Sequence, residues 1–164
     1  MSGTFPLPEA QMDRFLMRIT MGTPSREDEV HILNRFKKEE PLAELTPVCK
    51  AEELQQLQEE CRDIFVHPLL IDYIVDLVQA TRNTPHAVTG VSPRGTLALL
   101  RASQAYALVQ NRNYVVPEDI KSISVSVLAH RLVLNTGVQR ENSAAQIIQE
   151  LLNKIPVPTE DWTK

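Results

Sequence analysis

Positive charge is in short supply: 17 Lys and Arg stand against 21 Asp and Glu, for a formal net charge of −4. Duplex affinity comes largely from cations that neutralise phosphates, so a nucleic-acid binder, a helix-turn-helix protein included, is disfavoured. The most basic stretch, Asn34-Arg35-Phe36-Lys37-Lys38, runs straight into Glu39-Glu40, as a solvated helix face does. No segment approaches the ~20 uninterrupted apolar residues of a membrane span. The start, from Met1 to Glu9, has neither the basic residues nor the apolar run of a secretory signal, which leaves a cytoplasmic setting as the expectation. Cysteine is scarce too. Cys49 and Cys61 form no Cys-x-x-Cys pair and read as reduced thiols, Cys61 on an apolar helix face.

Catalytic signatures are equally thin. No Gly-Lys dipeptide occurs, so the loop that cradles a triphosphate is missing and the chain alone is not expected to hydrolyse ATP. His31, His67, His86 and His130 are scattered without a His-Glu-x-x-His pattern and read as surface or cap histidines, with no metal site among them. No serine sits in Gly-x-Ser-x-Gly.

What is there is helix. The 164 residues, 43% hydrophobic and 23% charged, suit one domain, and a chain of this length buries roughly 70% of its unfolded surface. Ser25, ahead of Arg-Glu-Asp-Glu, caps a helix to about Lys38 that is expected to bury Val30, Leu33 and Phe36. Pro41 and Pro47 mark a connection with a short extended piece near Val48. Leu54, Leu57 and Cys61 recur at helical spacing across 51–62, opposite a Glu and Gln face. Pro68 opens a run apolar on nearly all sides apart from Asp72 and Asp76, which predicts a helix in the middle of the core. Residues 82–91, with Asn83, Pro85 and Gly90, read as a loop. Ser92-Pro93 supplies a capping serine and a first-turn proline for a helix to about Asn111, whose packing face is predicted as Leu97, Ala98, Ala102, Ala105, Leu108 and Val109. A further helix starts at Pro117, with Ile120, Ile123, Val127 and Leu134 on one side and Gly137 at its end. A last one starts at Ser143 in a Ser-x-x-Gln capping box and buries Ile147, Ile148, Leu151 and Leu152. The predicted fold is all-α, a bundle of about six helices, with a loose Pro-rich tail over 156–164.

The segment Phe15 to Met21 breaks the pattern. Its apolar and β-branched residues, between a short helical piece at 8–13 and the Gly22-Thr23-Pro24 break, read as one strand. A lone strand leaves its N–H and C=O groups without a ladder, so its sheet is expected to lie outside this chain.

Three segments carry a resemblance. Residues 3–15, with Leu7-Pro8-Glu9-Ala10-Gln11-Met12-Asp13-Arg14-Phe15, then Gly90-Val91-Ser92-Pro93-Arg94-Gly95, then Asn113-Tyr114-Val115-Val116-Pro117-Glu118-Asp119-Ile120, are together similar to MoxR-type AAA+ ATPases. The resemblance implies that 1–23 closes an α/β nucleotide-binding core, that 24–155 is the helical lid, and that the phosphate-binding loop and metal motif lie upstream. It implies that Arg94 is the second sensor, reaching the γ-phosphate of ATP in its own subunit. Ser92 and Pro93 beside it would share that nucleotide-binding corner. It implies that Arg14 is an arginine finger entering the neighbouring subunit's site, hence a ring, of six subunits in the usual form. ATP and Mg would be the cofactors of the full-length protein, chaperone-like remodelling its task and von Willebrand factor A domain proteins its partners. On spacing alone the reading of Arg94 as a solvated first-turn arginine is the favoured one, and only its place in the longer match reverses it; Arg14 also reads as an ion pair with Asp13 or Glu9. Gly95 stands where the family more often has Ala, and glycine weakens a helix start slightly. The lid of a magnesium-chelatase-like motor, or a stand-alone helical interaction module, would share many of these features.

Overall fold

Three prolines fix where the central helices begin. The computed structural model describes residues 7–37, 41–135 and 143–158. In it α4 (Pro68–Arg82), α5 (Pro93–Val109) and α6 (Pro117–Leu128) each start on the proline, where the missing N–H costs no helical bond. The flanking side chains finish two of these starts. His67 Nδ1 accepts the Leu69 N–H at 3.3 Å at the head of α4. At the head of α6, Asp119 turns back to accept the Val116 N–H at 2.9 Å and is gripped by both terminal nitrogens of Arg112.

With α7 (Ser143–Lys154) these helices enclose the core, α5 packing most extensively on α6 and α7 touching both α4 and α6. Leu70, Leu77, Leu99, Ile120, Leu128 and Ile148 are fully buried there, each such side chain stabilising the fold by about 1.5–3 kcal/mol. α7 opens at the expected residue, with Ile147, Ile148 and Leu152 buried and Leu151 half-buried. The capping role of the Ser143 side chain, Gly137 and the tail beyond residue 158 lie outside the described residues.

Two helix faces differ from expectation. α4 is not surrounded: Leu70, Tyr73, Ile74, Leu77 and Val78 are buried, but Ile71 and Val75 stay exposed on the side of Asp72 and Asp76. In α5 the buried set is Gly95, Ala98, Leu99, Ala102, Ser103, Gln104 and Ala107, while Leu97, Ala105 and Val109, expected on the packing face, are exposed. The small residues Ala98 and Ala102, four apart, share the buried face of α5, the helix that packs most extensively on α6, with Leu99.

α6 is also shorter than predicted. It ends at Leu128, passes through a 3₁₀ turn at Ala129–Arg131, and gives way to β2 (Val133–Leu134), which pairs antiparallel with β1 (Ala87–Thr89) inside the segment read as a loop. Asn135 locks the pair by donating to the carbonyls of Pro85 (2.7 Å) and His86 (3.1 Å). A ladder that pairs Ala87 with Leu134 and Thr89 with Val133 is a non-local reward that helical periodicity does not register.

The chain divides into two compact units, Met1–Arg18 with Glu60–Lys164, and Ile19–Glu59. In the second, α2 (Arg26–Phe36) starts at a reciprocal cap: the Asp28 N–H donates to Ser25 Oγ (3.2 Å), and the Ser25 N–H donates to Asp28 Oδ2 (3.1 Å). Its stripe is not buried as predicted; Val30, Leu33 and Phe36 are all exposed. Next come a 3₁₀ turn at Pro41–Glu44, an irregular stretch holding the fully exposed Val48, and α3 (Ala51–Asp63), whose residues 51–59 belong to this unit and on which Leu54 and Leu57 are exposed. Both cysteines are free thiols, Cys49 exposed and Cys61 half-buried.

Candidate functional site

A threonine and a glycine build the corner that carries Arg94. Buried Thr81 donates its hydroxyl to the Val78 carbonyl (2.6 Å) and accepts the Val91 N–H (3.0 Å), and Arg82 Nε donates to the Val91 carbonyl (2.8 Å). Gly90 lies so close to α4 that a Cβ there would sit 2.5 Å from the Arg82 Cα, so only glycine fits. The backbone entering α5 is therefore pinned on both sides of Val91. Ser92 follows in extended conformation at the cap position, Pro93 opens the helix, and Arg94 stands in its first turn with a side chain 57% exposed.

Ser92 does not cap α5, contrary to the sequence reading. Its hydroxyl donates instead to the Asp13 carboxylate, 3.0 Å from each oxygen. Asp13, at the end of α1 (Glu9–Met12), also faces two guanidinium groups: Arg94 Nη1 at 3.8 Å and Arg131 Nε at 3.3 Å. The Arg131 contact is one of charge, because Nε is not aimed along a hydrogen-bonding direction at the carboxylate.

Arg131 is the residue that sequence reasoning missed. Its side chain is 2% exposed, and its terminal nitrogens donate to the carbonyls of Asp13 (3.3 Å), Leu16 (3.2 Å), Phe15 and Val127. Burial pulls the guanidinium below the ordinary arginine range, and Asp13 pulls the other way. One cation thus fastens residues 13–16 to the end of α6. The strand expected over 15–21 accordingly does not form: residues 15–16 bend and 17–21 are irregular, with Phe15 and Leu16 carbonyls taken by Arg131 and the Arg18 N–H donating to the Ser126 carbonyl at 2.8 Å. His130 Nε2 lies 3.2 Å from the Phe15 carbonyl, and burial, reinforced by Arg131, pushes its pKa down.

Gly95 also gains a reason. A Cβ at that position would come within 2.9 Å of Arg131 Cδ and closer still to Val91 Cγ1, so the glycine makes room for the buried arginine. The departure from alanine that seemed to loosen the Arg94 corner is what lets Arg131 pass beneath it.

Residues 79–151 match the family model of the AAA lid domain. That segment is an AAA lid by this match, and nearly the whole chain is similar to MoxR-named proteins. Over 159 residues it is 41% identical to the Bacillus subtilis protein YeaC, covering 96% of this chain and 50% of that protein. The chaperone MoxR1 of Mycobacterium tuberculosis is 37% identical over 166 residues, covering 95% and 44% respectively. A crystal structure from Cytophaga hutchinsonii, assigned as an ATPase, superposes with a TM-score of 0.87 at 32% identity, over 96% of this chain and 51% of that one. The chain thus spans about half the length of the relatives it matches.

The expected site residues fall into two groups. Ser92, Pro93 and Arg94 sit together at the α5 corner, facing Asp13. Arg14 is exposed on the adjoining segment, its N–H donating to the Gln11 carbonyl at 3.1 Å, and the Asp13 carboxylate is engaged by Arg94 and Arg131. Among the described residues no group of three or more His, Cys, Asp or Glu converges as a metal site, and no helix is long and apolar enough to cross a membrane.

Proposed function

We propose that this chain is the nucleotide-sensing lid of a MoxR-type ATPase that works as a ring, hexameric in the family's usual form, and couples ATP hydrolysis to the remodelling of partner proteins in the cytoplasm. Residues 1–23 would close the nucleotide-binding core, 24–155 would be the lid and 156–164 a tail. Arg94 touches the γ-phosphate in its own subunit, with Ser92 and Pro93 shaping the corner. Arg14 reaches the neighbouring site and stabilises charge on the transferred phosphoryl group. ATP would bring Mg²⁺, whose ligands would come from outside the described residues. Proteins with von Willebrand factor A domains are the partner class that the resemblance suggests.

The observation that carries this reading is an exposed guanidinium on a corner held from beneath by buried Thr81, Gly90 and Gly95. A flexible side chain on a rigid base can reach a phosphate without refolding the lid, and a first-turn position puts it beside the positive end of the α5 dipole. In the full-length protein, Arg94→Ala and Arg14→Ala are each expected to lower ATP turnover about 100-fold. For Arg14→Ala, mixing with subunits that retain Arg14 should restore part of the activity, as an arginine acting in trans requires. Unchanged turnover and unchanged nucleotide-dependent assembly in Arg94→Ala would remove the sensing role.

A further inference from the structure

We propose that Asp13 is a counter-ion latch for Arg94: in the nucleotide-free lid it holds the guanidinium back, and the γ-phosphate of ATP takes its place. The proposal rests on the reading of Arg94 as the γ-phosphate contact. Its basis is the inequality of the three groups around the Asp13 carboxylate. Arg131 is 2% exposed and tied to four carbonyls, so it cannot leave. Ser92 is fixed by the backbone at the helix start. Arg94, 57% exposed and at 3.8 Å the most distant, is the only mobile partner of the three.

Release is therefore cheap. When Arg94 swings to a phosphate, Asp13 keeps Arg131 and the Ser92 hydroxyl, so no uncompensated charge is left behind. One guanidinium cannot present its fork fully to a carboxylate and a phosphate at once, so the two anions compete, and the more highly charged phosphate wins when it is present. ADP, without a γ-phosphate, does not enter the competition. Asp13 thus acts as a positioning residue, and because it directly precedes Arg14, the exchange is felt in the segment that bears the trans arginine.

The test compares affinities for ADP and for a non-hydrolysable ATP analogue in the full-length protein. Asp13→Asn is expected to tighten the analogue about two- to fivefold, the scale of an exposed ion pair, and to leave ADP unchanged. A merely structural lesion would weaken both nucleotides, and that result overturns the latch. Should Asp13→Asn fail to fold because Arg131 is left as a buried cation, the double variant Asp13→Asn with Arg131→Gln removes both charges and carries the same expectation. Arg94→Ala separates the two ideas. If it keeps the wild-type preference for the analogue over ADP, the γ-phosphate reading falls and the latch with it. If it loses that preference while the Asp13 variants leave theirs unaltered, the latch alone falls.

Discussion

In α4 to α7 the apolar residues of each helix meet one another, whereas in Ile19–Glu59 equally regular apolar residues stay in water. Leu99 is 0% exposed on α5, and Leu33 on α2 is 71% exposed, although each is a leucine at helical spacing with other apolar residues. Periodicity tells which residues share a face of a helix; it does not tell whether this chain supplies the surface that covers the face. The two regions also start their helices differently. Prolines preset α4, α5 and α6, which are then held by packing, while α2 relies on a side-chain cap in an element with no buried residue.

The contrast can be broken most forcefully with a matched pair of truncations. Leu99→Ala should destabilise the protein by about 2–5 kcal/mol through lost burial and a residual cavity, and Leu33→Ala should stay within about 0.5 kcal/mol of wild type. Urea unfolding followed by far-UV circular dichroism measures both, and similar losses would mean that the α2 face is covered after all. A smaller effect sharpens the difference: Ser25→Ala should cost α2 about 1 kcal/mol. Hydrogen exchange is expected to place that loss in residues 26–36 and to leave amides of α4 to α7 unchanged; protection lost throughout would contradict a local role.

The smallest expected effect is a pH slope belonging to the core unit. His130 has its pKa lowered below 6.5 by burial first and Arg131 second, so the unfolded chain binds that proton more readily than the folded one. Stability contributed by neutral His130 is then complete above pH 6.5 and declines as the pH falls from there through the depressed folded value. His130→Gln should flatten the decline in melting temperature over that window; an identical slope in the variant assigns the effect to other groups.

Helix starts were the most legible part of this molecule, because Pro68, Pro93, Pro117 and the Ser25 cap act within one turn of themselves. At the corner before α5 the Pro93 start was legible for the same reason, while the Ser92 hydroxyl, expected to cap the helix, turns to Asp13 instead. The rest of the site was not. Asp13 meets Ser92 across 79 positions and its carbonyl meets Arg131 across 118, and an arginine read in isolation near the end of a helix gives no sign of being buried. The helical periodicity reads straight through His130-Arg131 to Leu134, so the break after Leu128 that buries the arginine leaves no mark in the pattern. Gly95 held a clue, since a glycine in the first turn of a long helix calls for a close neighbour.

The hold of Arg131 on the carbonyls of Phe15 and Leu16 has a bearing on how the protein behaves in a crowded solution. Those residues and Met17 form an open, apolar stretch, 53%, 50% and 39% exposed, whose backbone acceptors would otherwise be open to a second chain. With two successive acceptors already occupied by a guanidinium from the same molecule, the template is spoiled. The arginine that anchors the segment also removes two of the acceptors that an intermolecular sheet would need.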